Sequence, residues 1–375
     1  MGNRLSHSST SRYQTCPTSF KYHYIDRLRS TTMSSALFFG TAVDNAITAM
    51  IKNEDAELTF KSFWEFQDVN GSREYLPTST SIVYANSDVD SDLLLEQDYE
   101  EIARILEFSG DIASEIDEVY KEKEYLGFDN LPHDRKVFLN VYNWFCLYRK
   151  GLIMIKTFRK EILPNITEVL GSQVPVKLDN GAGDLITGFA DFVVRWQDDP
   201  TPIIFDLKTS SRDYDEKMSV ITSAQLTLYV HALSEQFENT RRAGYIVLNK
   251  HIRKNKTKIC SVCGNDGSGA RHKTCAAEIV QPTSAGTTAG STRCNGAWKE
   301  TFKPEAKFQV IIDEIPLQTE NIVIENMGVI NEAISTGVFH RNLGSCIQPW
   351  GPCTFFDLCY KNDSRGLVKA EEKKS

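Results

Sequence analysis

The chain has 375 residues, of which 41% are hydrophobic, and a formal net charge of −8. This length permits two or three domains or a single elaborated α/β domain, and the hydrophobic content is sufficient for a sizeable core. No apolar run reaches the roughly 18 residues that a membrane span needs, and the N-terminus MGNRLSHSSTS is too polar for a secretory signal. We therefore expect a soluble, cytoplasmic protein that does not bind membranes.

The charge is unevenly distributed along the chain. Residues 86–131 include 15 acidic and 3 basic side chains and carry a net charge of −12. Because the total is −8, the remainder carries about +4. A net negative charge argues at first against nucleic acid as a partner, but an acidic segment on a mildly basic body leaves that partner open.

The predicted secondary structure changes character near residue 165. Before that point apolar spacing predicts helices, and after it strands alternate with helices. The helices expected in the first part lie at 9–28, 34–52, 58–69, within the acidic segment, and at 134–162. In the second part we expect strands at 168–178, 185–196, 203–208, 241–250 and 307–316, and helices at 216–237 and 318–335.

The strand predicted at 203–208 runs from three apolar residues into two charges. Asp206 and Lys208 are two positions apart, and residues at i and i+2 of a strand point to the same face. The two charges therefore project together from one edge of the sheet. Such a pair is either an exposed ion pair, worth less than about 1 kcal/mol, or part of a site.

Polar residues on the neighbouring elements favour a site. Asp191 lies in the preceding strand, and pairing around the turn QDDPTP can bring it within reach of the cation that Asp206 contacts. Two carboxylates with a lysine beside them form a hard oxygen site for Mg²⁺ or Mn²⁺. Gln225 and Tyr229 are four residues apart on one face of the next helix. The alternatives are a turn-capping role for Asp191 and a packing role for Gln225 and Tyr229.

The order Asp191, Asp206-x-Lys208 and Gln225-x-x-x-Tyr229 resembles the PD-(D/E)XK nuclease superfamily, in particular its RecB-type exonuclease branch. The segment SSTSRYQTCPTSFKYHY is similar to the opening helix of that branch, and ALFFGTAVDNAI is similar to its Gly-x-x-x-His helix. The resemblance implies an α/β fold with a restriction-endonuclease-like core, in which helices flank a central mixed sheet, and a helical N-terminal part.

The resemblance also implies the roles of the site residues. Asp191, Asp206 and the backbone carbonyl of Leu207 would hold one or two Mg²⁺ or Mn²⁺ ions. Lys208 would act on the attacking water and counter the charge of the transition state. The expected activity is metal-dependent hydrolysis of DNA, in an exonuclease of recombination, repair or phage DNA metabolism.

One position departs from the family pattern. The family usually has histidine where this chain has Asp44. Gln225 and Tyr229 match the family pattern, which implies that they position Lys208 or a phosphate. Asp44 either replaces the imidazole as a ligand of a hard cation or lies on the helix surface. This departure keeps open a catalytically inactive nuclease fold that binds nucleic acid or a protein partner. A third reading is a zinc-stabilised interaction protein in which Asp-x-Lys is coincidental. The chain has no Walker A motif, so a helicase or recombination protein would be a separate partner.

Four of the nine cysteines fall near the chain ends, at Cys16, Cys346, Cys353 and Cys359. In iron-sulfur members of the RecB-type branch, one N-terminal and three C-terminal cysteines hold a [4Fe-4S] cluster, and thiolates are its usual ligands. The Cys353 to Cys359 spacing fits that pattern, but six residues separate Cys346 from Cys353 where the pattern has two. A zinc ion and free buried thiols remain alternatives.

Four more cysteines, Cys260, Cys263, Cys275 and Cys294, lie in a segment too poor in apolar residues to form its own core. The Cys-x-x-Cys opening with two later cysteines is typical of a small module that folds around tetrahedral zinc. The nearby His272 is a competing ligand, and the alternative is a disordered loop. The basic run NKHIRKNKTK just before it is either a solvated face or a contact for phosphates. The ninth cysteine, Cys146, is expected in the core.

The sequence therefore predicts four consecutive parts. Residues 1–165 form a helical part packed on the core, and 166–259 form the nuclease core. Residues 260–298 form a zinc-ribbon-like insertion. Residues 299–375 complete the core and carry the C-terminal cysteines.

Overall fold

The computed structural model describes residues 4–69, 72–75, 82–83, 91–179, 185–267, 272–280, 291–348 and 351–370. The chain divides into two compact units, of which Lys250–Lys307 is the smaller, and the rest of the described chain forms the larger. The smaller unit includes the predicted insertion at 260–298.

The described α-helices lie mostly in the larger unit's N-terminal half. Their bounds are α1 His7–Thr15, α2 Pro17–Phe20, α3 Ser35–Ile51, α4 Ala56–Glu65, α5 Glu96–Leu106, α6 Ile112–Leu126, α7 His133–Thr157, α8 Ala224–Leu233, α9 Leu317–Ser335 and α10 Phe356–Lys361. The helices predicted at 34–52, within the acidic segment, at 134–162 and at 318–335 are confirmed by α3, by α5 and α6, by α7 and by α9. No helix in the described ranges combines the length and apolar character needed to cross a bilayer.

The strands include both the long members of the central sheet and several two-stranded pairs. Their bounds are β1 Arg4–Leu5, β2 Leu28–Ser30, β3 Met33–Ser34, β4 Phe66–Val69, β5 Ser72–Tyr75, β6 Ile82–Val83, β7 Ile166–Asp179, β8 Leu185–Trp196, β9 Asp199–Ser210, β10 Arg242–Cys260, β11 Glu278–Val280, β12 Ser291–Arg293, β13 Trp298–Glu314, β14 Ile347–Gln348, β15 Gly351–Pro352 and β16 Leu367–Lys369.

The central sheet is mixed. Strands β7, β8 and β9 are antiparallel neighbours, β10 runs parallel to β9, and β13 lies beyond β10. The short β1 pairs in parallel with the beginning of β8. It lies along the same edge of β8 to which β9 pairs at later residues. The restriction-endonuclease-like arrangement expected from the sequence, a mixed sheet flanked by helices, is confirmed.

One face of this sheet packs against α8. Val174, Ile204 and Val247 from three different strands form one buried cluster with Leu226 and Val230 of the helix. Residues 202–207 of β9 are all buried, and Asp206 and Lys208 follow Ile204 of this cluster at i+2 and i+4, on the same face of the strand. The core therefore determines where Asp206 and Lys208 emerge.

The other side of the larger unit is helical. Helix α3 packs against β9 and against α4 and α7, and the rings of Trp64 and Trp144 stack with centroids 5.9 Å apart between the latter two. Cys146 of α7 is fully buried, as predicted. This packing fixes α3, and with it Asp44, above the end of β9.

The helix predicted at 9–28 is interrupted at Cys16 and ends at Ile25. Cys16 is extended, with φ −161° and ψ 108°, because the ring of a following proline disfavours the helical conformation. Helix α2 restarts at Pro17, a π turn follows at Lys21–Ile25, and β2 begins at Leu28. The break turns Cys16 out of the helix.

Two other predicted helices are too long. The helix at 58–69 ends at Glu65, and Phe66–Val69 pairs with Ser72–Tyr75 as a hairpin. The helix at 216–237 begins only after Ser223, whose hydroxyl accepts a hydrogen bond from the backbone N–H of Leu226 at 3.1 Å. Serine at this position caps a helix and so defines its start.

The two chain ends lie together. Strand β2 pairs antiparallel with β16. Tyr13 donates its hydroxyl hydrogen to the carbonyl oxygen of Val338 at 2.6 Å, and Thr18 donates to that of Phe339 at 3.0 Å. The N-terminal helices are therefore held by the segment that precedes the last cysteines.

Candidate active site

Asp191 and Asp206 lie where the pairing between β8 and β9 ends. The last paired residues on this side are Phe192 and Phe205, so the two aspartates occupy the next position on each strand. The backbone N–H of Leu207 donates to Asp191 Oδ2 at 2.6 Å instead of to a strand partner. The hairpin therefore places the two aspartates at neighbouring positions on adjacent strands.

Lys208, Asp206, Gln225 and Tyr229 form one hydrogen-bonded chain. Lys208 Nζ lies 2.6 Å from Asp206 Oδ2. The amide of Gln225 accepts from Lys208 Nζ at 3.1 Å and donates to Asp206 Oδ1 at 2.8 Å. Its nitrogen also lies 2.7 Å from the hydroxyl of Tyr229. The i and i+4 pair on α8 therefore orients both charged groups.

Asp44 reaches the site from α3. Gly40, one turn earlier, permits a close approach to β9, because a side chain there would meet Thr209 Oγ1 at 3.1 Å. Asp44 Oδ1 is buried and has no hydrogen-bond partner among the described residues. A buried carboxylate oxygen without a partner is costly unless a cation or a proton satisfies it.

Burial shifts the pKa values of the three carboxyl groups upward, and repulsion between the carboxylates adds to the shift for Asp191 and Asp44. Burial, reinforced by the charges of Asp206 and Asp44, raises the pKa of Asp191 to about 8, although the Leu207 N–H and Lys208 oppose this shift. Burial and the charge of Asp206 raise the pKa of Asp44 to about 6. Burial also raises the pKa of Asp206 against the opposing charge of Lys208.

The pKa of Lys208 is also raised, but in a lysine this shift favours the charged form. Burial alone lowers the pKa of its ammonium group, but the adjacent charges of Asp206 and Asp191 outweigh burial and leave the pKa raised. Lys208 Nζ therefore keeps its proton and its positive charge at neutral pH. A half-buried, charged lysine among carboxylates in excess is typical of a functional site.

Three residues near this site were missed by the sequence analysis. Gln173 of β7 has φ of 50°, which non-glycine residues adopt at a cost, and its amide lies 3.5 Å from Asp191 Oδ1 and 3.3 Å from Thr48 Oγ1. His7, at the first turn of α1, lies within the field of Lys208, and burial together with that charge lowers its pKa. Tyr245 hydrogen-bonds to Ser223 at 2.6 Å and lies within the field of Asp206. No local pattern marks these residues, since tertiary packing brings them to the site.

Comparison with known families identifies the fold. Residues 4–284, about three quarters of the 375, match the PD-(D/E)XK nuclease superfamily. The chain belongs to this superfamily. Its members are generally nucleases that use divalent metal ions, and the match spans every element that contributes to the site. A search among curated proteins gave no match.

The superfamily implies a divalent metal ion, and the donors present are suited to one. Asp191, Asp206 and Asp44 offer hard carboxylate oxygens, and Asp44 Oδ1, which has no hydrogen-bond partner among the described residues, is suited to contact a cation. In the described ranges, one group brings three or more Asp, Glu, His or Cys ligand atoms within 4.8 Å of one another, and it consists of four cysteines. The oxygens of the three aspartates are therefore not all within 4.8 Å of one another, and Asp206 is paired with Lys208.

That cysteine group lies in the smaller unit and comprises Cys260, Cys263, Cys275 and Cys294. The Cys263 and Cys275 sulfurs are 3.7 Å apart, and those of Cys260 and Cys294 are 3.4 Å apart. The backbone N–H groups of Cys263 and Val262 lower the pKa of Cys260 to about 6, which favours its thiolate. The group could hold a metal ion without His272, the competing ligand considered from the sequence.

The terminal cysteines are also brought near one another. Cys16, Cys346, Cys353 and Cys359 line one cavity together with Phe355 and Tyr360. The backbone N–H of Cys353 donates to the carbonyl oxygen of Cys346 at 2.8 Å. Among the described residues, no three of these four sulfurs lie within 4.8 Å of one another, in contrast to the sulfurs of the smaller unit.

Proposed function

We propose that this protein is a metal-dependent deoxyribonuclease, and specifically an exonuclease of the RecB type that acts in recombination, repair or phage DNA metabolism. The observation that carries this proposal is the convergence of Asp191, Asp206 and Lys208 at one sheet edge. These 375 residues contain no Walker A motif, and we propose a separate helicase or recombination protein as the partner that would separate the strands.

The carboxylates and Lys208 would have different roles in phosphodiester hydrolysis. Asp191, Asp206, the Leu207 carbonyl and Asp44 would hold the Mg²⁺ or Mn²⁺ ion. When bound, such an ion lowers the pKa of water and neutralises charge on the phosphoryl oxygens. Lys208 Nζ remains protonated, so it stabilises negative charge on the nucleophile and on the transition state rather than removing a proton.

Gln225 supports this role by fixing the ammonium group. Its amide contacts Lys208, Asp206 and Tyr229 at once, so rotation of the amide would break hydrogen bonds to at least two of them. Pre-organised charge of this kind costs no reorganisation when the transition state forms. Asp206 and Lys208 therefore form the core of the proposed site.

An end-labelled DNA assay with and without Mg²⁺ or Mn²⁺ tests the proposal. The protein should degrade DNA only with metal, and Asp206→Ala and Lys208→Ala should each lose at least about 100-fold in rate. Lys156→Ala is the matched control, because Lys156 is an exposed lysine of α7. Release of mononucleotides from one labelled end indicates an exonuclease. Undiminished cleavage by both site variants would refute the assignment.

We assign zinc to the cysteines of the smaller unit. Tetrahedral zinc with Zn–S bonds of about 2.3 Å places its sulfurs about 3.8 Å apart. The Cys263 to Cys275 separation of 3.7 Å agrees with this value. The three buried cysteines form the unit's own cluster with Ala277 and Trp298, so few apolar residues would remain to hold it together without metal.

We assign a [4Fe-4S] cluster to Cys16, Cys346, Cys353 and Cys359. Each cysteine of such a cluster binds a different iron atom, so the sulfurs need not approach as closely as around one zinc ion. The wider arrangement of this group supports a cluster over zinc. Such a cluster would connect the N-terminal helices to the C-terminal segment.

A further inference from the structure

The smaller unit differs in charge from the rest of the protein. Residues 250–307 contain 11 lysines and arginines against 4 acidic residues, a net charge of +7. The remaining residues then carry −15, since the whole chain carries −8. Zn²⁺ with four thiolates would contribute −2, so the unit stays positive after metal binding. We call residues 250–307 the cysteine unit.

The positive charge includes side chains that no carboxylate neutralises. Lys256 and Lys258 of β10 are exposed, and no ion pair or hydrogen bond of their side chains is found within the described ranges. Exposed cations elsewhere are often paired, as Arg159 is to Glu57 at 2.9 Å. A cation left without a partner on a positive unit is available to an external anion.

The two lysines also share an orientation. They are at i and i+2 of one strand, so their side chains project from the same face. Two residues of a strand span about 6.7 Å, which is about twice the 3.4 Å axial rise per phosphate along one DNA strand. The pair therefore presents charge at a spacing that a phosphodiester backbone can match.

An exposed aromatic ring accompanies this charge. Phe302 of β13 is 57% exposed, and Lys299 and Lys303 of the same strand are exposed as well. Aromatic rings interleaved with cations are typical of surfaces that bind nucleic acid, because bases stack on the ring while cations contact phosphates. An acidic protein partner would not require the ring.

We propose that the cysteine unit is a DNA-binding module that contacts the phosphodiester backbone through Lys256 and Lys258, without reading the base sequence. This inference rests on the proposed nuclease function, which supplies DNA as the ligand. The unit adds affinity for a substrate that the acidic remainder of the protein would otherwise repel.

The test is the salt dependence of DNA binding by the full-length, zinc-loaded chain. Both sets of substitutions are placed in the Lys208→Ala background, so that DNA is not degraded during the measurement. Lys256→Gln/Lys258→Gln removes the proposed contacts. Lys52→Gln/Lys156→Gln, in two exposed lysines of the larger unit, removes the same charge. Zinc content and far-ultraviolet circular dichroism establish that both variants are folded.

The Lys256→Gln/Lys258→Gln variant should bind DNA on the order of tenfold more weakly at 0.1 M salt, equally for unrelated sequences. The slope of log K against log salt should fall by about 2. The Lys52→Gln/Lys156→Gln variant should match the parent. Equal weakening in both variants, or no weakening in the first, would overturn the inference.

Cleavage by the unsubstituted protein separates this inference from the proposed function. If that protein degrades DNA while Lys256→Gln/Lys258→Gln leaves binding unchanged, only the DNA-binding role of the cysteine unit fails. If the unsubstituted protein neither binds nor cleaves DNA, both fail. Binding of an acidic protein in place of DNA would likewise overturn the inference.

Discussion

Asp206 and Lys208 form an ion pair of 2.6 Å at a position where the strand pairing of β8 and β9 has ended. Asp206 is almost completely buried, at 2% exposure, so its charge has little water to stabilise it. The ammonium group of Lys208 and the amide of Gln225 replace that water. Removal of Lys208 would therefore leave the buried charge of Asp206 without its cation, which is destabilising.

Gln225→Leu should lower the rate of DNA cleavage by about 10- to 100-fold, because residues that orient a site's charged groups typically have effects of this size. The substitution removes the hydrogen bonds to Lys208 and Asp206 while preserving the apolar contacts of α8. The rate is measured with end-labelled DNA at saturating Mg²⁺. Gln236→Leu, at an exposed glutamine just beyond the same helix, should cleave normally. Equal rates for the two variants would contradict the positioning role.

Asp191→Asn should stabilise the protein when Mg²⁺ and Mn²⁺ are absent. The folded-state pKa of Asp191 is raised to about 8 from 3.8, so its ionised form is disfavoured in the folded state and stability falls as pH rises between these values. Asparagine is neutral and its oxygen can still accept from the Leu207 N–H. The free energy of unfolding at pH 7 should increase by at least about 1 kcal/mol.

The pH dependence of this gain is its specific signature. The difference between Asp191→Asn and the parent should be present at pH 7 and disappear near and below pH 4, where the parent carboxyl becomes protonated in the unfolded state as well as in the folded state. Denaturant titrations at the two pH values measure it. Asp117→Asn, at an exposed position of α6, should show no such difference. A destabilised Asp191→Asn protein at pH 7 would argue against the raised pKa.

Affinity for Mn²⁺ should rise between pH 6 and pH 8, on the order of 10- to 100-fold, because the carboxylates must lose their protons to bind the ion. The pKa values of Asp44, about 6, and Asp191, about 8, define this window. Calorimetric titration in two buffers of different ionisation enthalpy would detect the released protons. Asp44→Asn should flatten the pH profile, since the charge of Asp44 contributes to the raised pKa of Asp191. An affinity that is independent of pH would contradict the assignment.

Removal of zinc should unfold residues 250–307 selectively. Cys260, Cys275 and Cys294 are themselves the buried residues of this unit's core, so little apolar burial remains once the metal is lost. Cys263→Ser should reduce zinc content and expose this region to limited proteolysis. Cys146→Ser, in α7, should retain zinc, because that cysteine lies outside the group. Full protease resistance of zinc-free protein would argue against a metal-dependent fold.

Cys359→Ala should abolish the brown colour and visible absorbance expected of anaerobically purified protein with a [4Fe-4S] cluster. The same substitution should lower the thermal unfolding midpoint, since the cluster would link Cys16 of the N-terminal helices to the C-terminal segment. Iron and sulfide analysis measures cluster content directly. Cys263→Ser should keep the colour. A colourless parent protein that contains two zinc ions would contradict the cluster.

The sequence predicted the central sheet well, because buried strands carry their own apolar runs and turn residues. It overestimated helices where short-range hydrogen bonds interrupt them. The hydroxyl of Thr222 donates to the carbonyl oxygen of Met218 at 2.6 Å, and Asp215 accepts from the N–H of Lys217 at 2.8 Å. Such local bonds compete with a continuous helix. The Asn70-Gly71 pair was a hairpin signal that could have identified β4 and β5.

The site was predictable only in part. Asp191, Asp206, Lys208 and Gln225 follow one another in an order that a strand, strand and helix can bring together, so pattern alone could suggest them. Gln173 could not be predicted, because nothing in its neighbours indicates a left-handed backbone. His7 reaches the field of Lys208 only because β1 pairs with the beginning of β8, near Asp191.

The pairing of β2 with β16 has a consequence for biosynthesis. Residues 28–30 leave the ribosome more than 300 residues before their partners at 367–369. The contacts of α1 and α2 with Val338 and Phe339 likewise form only after the intervening chain has been translated. Deletion of residues 367–369 should therefore disturb the segment at residues 28–30, far away in the sequence.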